Sequence, residues 1–76
     1  MTPEDREAAR KARNRVRAAT EYLDTRQANL TMLLHCMETG VESVKYDHIN
    51  AACAEVIRAS HAVCDRTAEL AAIHRR

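Results

Sequence analysis

Seventy-six residues make one domain, near the lower size at which a single chain buries enough apolar surface to offset the entropy of ordering itself, so help from oligomerisation, a metal or disulfides is expected. A net charge of +1 excludes bulk electrostatics as the selector of a partner. One glycine, one proline, two tyrosines and neither Phe nor Trp exclude a sheet, which needs aromatic and β-branched stripes broken by turns, and leave a composition of strong helix formers.

The first helix is expected to start at about residue 3. Thr2 can accept from free amides, Pro3 suits the first helical position, and Glu4 and Asp5 favour the positive end of the helix dipole. From there small and apolar residues recur at steps of three and four: Ala9, Ala12, Val16, Ala19, Leu23, Leu30, Leu33 and Met37, with Arg26 breaking the row. Arg26 is expected to reach out to solvent or to pair with Glu55 on the facing helix, the functional alternative being a charged contact that specifies register between subunits or recognises a partner. The first stop is Thr39-Gly40, where glycine can take the left-handed cap conformation, giving a helix over about 3–38 and roughly 50 Å long.

A connector containing Val41, Val44 and Tyr46 leads to Asp47, a good cap for a second helix over about 47–74, although Ser43 could start it earlier. Its row reads Ile49, Cys53, Val56, Ser60, Val63, Thr67, Leu70 and His74, flanked by Ile57, Cys64, Ala71 and Ile73. Two helices on a short link lie antiparallel, which places Leu33 near residues 49–53, Leu23 near His61 and Val16 near residues 67–70. The fold class expected is all-α: one antiparallel helical hairpin over residues 1–76. Leu30, Leu33, Leu34, Cys36 and Met37 span about 160° of helix one, with Met32 outside that arc, which is too wide for one partner helix. The excess is expected to meet a second copy, forming a four-helix bundle, or another protein.

Arg6, Arg10, Arg13 and Arg17 fall on one stripe about 16 Å long, and Arg75 and Arg76 join it at the open end of a hairpin. Such a row can neutralise phosphates without reading sequence. The bland alternative is a solvated face, with Glu7 near Lys11, Glu21 near Arg17, and Asp65 and Glu69 close by. Ala12-Arg13-Asn14-Arg15 followed by leucines invites comparison with basic-region leucine zippers, but Arg17 stands where those need a small residue and a return helix follows.

Other chemistry lacks parts. His35, His48, His61 and His74 are thirteen apart, a step that does not keep them on one face. His61 and Cys64, or Cys36 and His48, could approach each other, but no paired zinc-ligand spacing occurs, so no metal or other cofactor is expected. With no phosphate-cradling loop and no room for a water-excluding pocket, catalysis is not expected.

No apolar run approaches the roughly 18–20 residues of a membrane span, and the alanines of the basic helix suit no membrane surface. Three cysteines without a signal-peptide pattern point to a reducing, cytoplasmic setting. Ten Arg against two Lys, with abundant Ala, goes with GC-rich coding, as in a bacterium or phage.

The function expected is a non-enzymatic protein-binding module, an adaptor, inhibitor or regulatory subunit, acting as a homodimer. Its surface is Leu30, Met32, Leu33, Leu34 and Met37 with Ile49, Val56, Ile57 and Val63. The alternative is a nucleic-acid-binding protein using Arg6, Arg10, Arg13 and Arg17.

Overall fold

The computed structural model describes residues 1–40 and 42–76 and contains two helices, α1 (Pro3–Glu38) and α2 (Tyr46–His74). Local chemistry sets their ends. The Asp5 amide donates to Thr2 Oγ1 at 3.1 Å, capping α1 ahead of Pro3, and after Thr39 the chain turns at Gly40 with φ +83°, a conformation that a Cβ would strain.

The second start differs from expectation. Tyr46 is already helical and Asp47 sits in the first turn, so Lys45 holds the cap position. The Lys45 ammonium has no acceptor to offer the free amides. Instead the Lys45 N–H donates to His48 Nδ1 at 3.2 Å, which tightens the entry from the other direction. Of the expected connector, Val44 lies in it, Tyr46 belongs to α2, and Val41 lies outside the described residues.

The helices pack against each other as a rod of 57 × 14 × 12 Å, with a radius of gyration of 17.3 Å against about 11 Å for a spherical domain of this length. Three ion pairs between the helices fix the antiparallel register: Arg26 to Glu55 at 3.0 Å, Arg15 to Glu69 at 3.4 Å and Arg76 to Asp5 at 3.3 Å. That register agrees with the expected pairings to within about two residues.

The residues sealed in the seam are small. Ala9, Ala12 and Ala59 are 0–1% exposed, with Ala52, Ile49 and Ile73 close behind, and at the open end Ala9, Ala12 and Ile73 form a cluster with Ala8 and Leu70. The register explains why: Leu70 falls opposite Ala12, Leu23 opposite Ala59 and Leu30 opposite Ala52, so that the helices approach closely at these levels, while toward the tip Leu33 falls opposite Ile49.

The row expected for α2 is corrected accordingly. Ile49, Val56, Val63 and Leu70 stand in it, but Ala52, Ala59 and Ile73 occupy the buried positions instead of Cys53, Ser60 and His74, and Thr67 is exposed. Two such helices cover only one stripe of each other, so among the described residues alanines alone are completely buried.

Candidate interaction surface

The surface is defined by what the seam leaves over. Residues that directly precede a seam position, such as Arg15, Tyr22, Glu55 and Glu69, lie on one flank of the hairpin, and those that directly follow one, such as Arg13, Leu34, Cys53 and Ser60, lie on the other. The Arg15–Glu69 pair lies on the first flank and Glu55 reaches Arg26 from it, while Arg76 meets Asp5 just beyond the end of α2. Among the described residues the second flank has no ion pair between the helices.

The expected apolar site is divided by this geometry. Ile49 is buried and Leu30, Leu33, Val56 and Val63 are half-buried, so these five line the seam between the chain's own helices. Met32, Leu34, Met37 and Ile57 are 40–57% exposed, which leaves them free for another molecule. Tyr46, exposed at the same end, is an apolar neighbour that sequence reasoning placed in the connector. Its signal was its place at helical spacing ahead of the uncharged residues Asn50, Cys53 and Ile57.

Arg26 is a charge drawn into the middle of the seam. Its guanidinium donates to Glu55 Oε2, one of the two expected arrangements, and also stacks over the Tyr22 ring, 5.2 Å from the centroid, a contact not expected from the sequence. Its Nε is buried with no partner. The half-exposed pair is worth at most about 1 kcal/mol, so Arg26 acts more on register than on stability.

The basic stripe lies on the second flank, fully solvated. Only Arg10 of its four members has a carboxylate partner among the described residues, and that partner is Glu7, one turn back, with the Arg10 Nε 3.0 Å from Oε2. The expected partners Lys11 for Glu7 and Arg17 for Glu21 form no contact pair. The Arg10 hydrogen bond holds the Glu7 carboxyl below its ordinary range and raises Arg10 in turn. Asp5 is likewise lowered, first by its hydrogen bond from Arg76 and then by Thr2. Asp65 stands outside the ion pairs, whereas Glu69 holds both Arg15 and Arg66.

Cys36 and Cys53 are half-buried free thiols and Cys64 is exposed. Among the described residues no three His, Cys, Asp or Glu side chains gather as metal ligands, no cavity opens between the helices, and neither helix is long and apolar enough to cross a membrane. No family model, curated protein or solved structure matches the chain.

Proposed function

We propose that the chain is a small, non-enzymatic, cytoplasmic protein-binding module, an adaptor, inhibitor or regulatory subunit, and that it dimerises into a four-helix bundle. One observation carries this reading. Of the seven large apolar side chains left exposed among the described residues, six lie in the tip half of the rod, Met32, Leu34, Met37, Tyr46 and Ile57 with Tyr22 at its inner edge, and Met1 lies in the open half. Scattered exposed apolar residues are ordinary, but a group gathered at one end of a thin rod marks a contact surface.

The test compares the wild type with Leu34→Glu. Glutamate preserves helicity, and Leu34 is 40% exposed, so the hairpin should keep its circular dichroism while a carboxylate enters any interface formed there. Sedimentation equilibrium at micromolar concentration should give twice the chain mass for the wild type and the single mass for the variant. Proteins captured from nuclease-treated host extract by the wild type should be lost with the variant.

A second reading has its own observation: Arg6, Arg13 and Arg17 lack carboxylate partners among the described residues and share a solvated stripe. Binding of duplex or single-stranded nucleic acid that falls by orders of magnitude between 50 and 200 mM salt, roughly as six or more phosphate contacts require, and that Leu34→Glu leaves intact, would move the function to that stripe.

A further inference from the structure

We infer that the occupant of the second flank is a second copy of this chain docked with its long axis reversed, so that the hairpin tip of each protomer covers the arginine stripe of the other. This rests on the protein-binding reading above and gives it a partner and an orientation.

The first observation is a second row on α2. Cys53, Ile57, Ser60, Cys64, Thr67 and Ala71 follow one another at steps of four and three along one side of the helix, and none is charged. Every charge of α2 from Glu55 to Glu69 lies off that row. The helix thus carries, beside the face used in the hairpin, an uncharged row on which Ile57, Cys64 and Thr67 are exposed and Cys53, Ser60 and Ala71 are half-buried.

The second is the lengthwise charge. Residues 1–20 and 61–76, the open half of the rod, hold nine Lys or Arg against five Asp or Glu, a net +4. Residues 21–60, the tip half, hold three against six, a net −3. Two copies docked tip to tip put like charge on like. Docked in reverse, each +4 half lies on a −3 half.

Screening over about 8 Å is short against a 57 Å rod, so contacts and not net charges must decide the orientation. They agree. On the second flank α1 reads Arg6, Arg10, Arg13, Arg17, then Asp24, Leu34 and Glu38 toward the tip. Turned about a two-fold axis near Thr20, this row places Arg17 against Asp24 of the other copy, Arg13 and Arg10 against the polar Gln27 and Thr31, and Arg6 against the Leu34–Glu38 end. The same axis crosses α2 near Ala62 and sets Ser60 against Cys64 and Ile57 against Thr67, with no charge buried on that helix.

The third is area. The chain exposes 5548 Å², whereas a compact protein of 8.6 kDa exposes about 4700 Å². The excess of about 850 Å² matches the roughly 800 Å² that each partner buries in a standard interface. Met32 lies toward the ion-paired flank, outside this pairing, and stays available to another protein.

The experiment measures orientation. A nitroxide on Ser43→Cys, with Cys36, Cys53 and Cys64 replaced by Ala, reports the distance between tips in the dimer by pulsed electron resonance. Reversed docking places the labels near the rod length, more than about 40 Å apart; tip-to-tip docking places them within about 25 Å, since packed helices lie about 10 Å apart. In the native-cysteine chain, Arg17→Glu should raise the dimer dissociation constant about tenfold, because the symmetry makes the change twice, and Asp24→Arg added to it should restore association. This pair decides the matter also where the cysteine-free chain fails to fold. A dimer with a short label distance, or no rescue by Asp24→Arg, overturns the reversed docking and leaves the protein-binding reading standing. A chain that stays monomeric at all concentrations overturns the second copy as partner, and loss of all protein capture with Leu34→Glu would still uphold the wider reading.

Discussion

Arg26→Leu should stabilise the protein. Arg26 interrupts the seam between Leu23 and Leu30, facing the Val56 position, with its side chain 30% exposed and that of Glu55 36% exposed. An ion pair so accessible contributes about 0–1 kcal/mol, and the Tyr22 contact about 0.5–1 kcal/mol. Against these stands the buried, partnerless Nε, which costs about 1–3 kcal/mol. A leucine covered to about two thirds gains about 1–2 kcal/mol from burial, and Glu55 can rehydrate. These terms together favour the leucine variant by between about 0 and 4.5 kcal/mol, centred on about 2 kcal/mol, or about 8–16 °C in melting temperature at that central value for a domain of this size. Thermal denaturation followed by circular dichroism reads it directly, at fixed protein concentration so that any self-association weighs equally on both chains. A variant that melts below the wild type refutes the reasoning and makes the Arg26–Glu55–Tyr22 group a net source of stability.

Ala59→Leu should destabilise by about 1–3 kcal/mol in chemical denaturation, since Ala59 is 1% exposed opposite Leu23 and the extra side chain must push the helices apart. Asp5 should titrate by NMR below the ordinary 3.8, because Arg76 and Thr2 favour its carboxylate. A depressed folded value means that the tie between the chain ends is complete above the ordinary carboxylate range and is lost as pH falls through the lowered midpoint; Arg76→Ala should return the midpoint toward 3.8. Replacing Cys36, Cys53 and Cys64 together by Ala should leave helicity by circular dichroism unchanged, as all three are free and none is sealed in the seam. Thr2→Ala should cost about 1 kcal/mol and speed amide exchange in the first turn of α1, by removing the acceptor for Asp5 N–H.

Sequence alone determined what depends on neighbours along the chain. The start of α1 at Thr2-Pro3, its end before Gly40, the seam row from Ala9 to Leu33 and the antiparallel sense all follow from caps, helix propensity and a short link, and Arg26 with Glu55 could be paired because a charge inside a seam has few places to go. The entry to α2 was less legible, since Asp47 is a better cap on paper than Lys45 and the bond to His48 exists only in the folded turn. The face of α2 could be read only in part from periodicity, which gave Ile49, Val56, Val63 and Leu70 but not the small residues between them. Alanine, cysteine and serine are alike in size and lie one residue apart, so Ile49-Cys53-Val56-Ser60 and Ile49-Ala52-Val56-Ala59 fit a helical stripe equally well. Only packing against α1 chooses between them: Leu23 and Leu30 need a gap opposite, and the alanines are the residues that lie there, which leaves Cys53 and Ser60 half-buried and Ile57 exposed on the flank that, among the described residues, carries no ion pair between the helices.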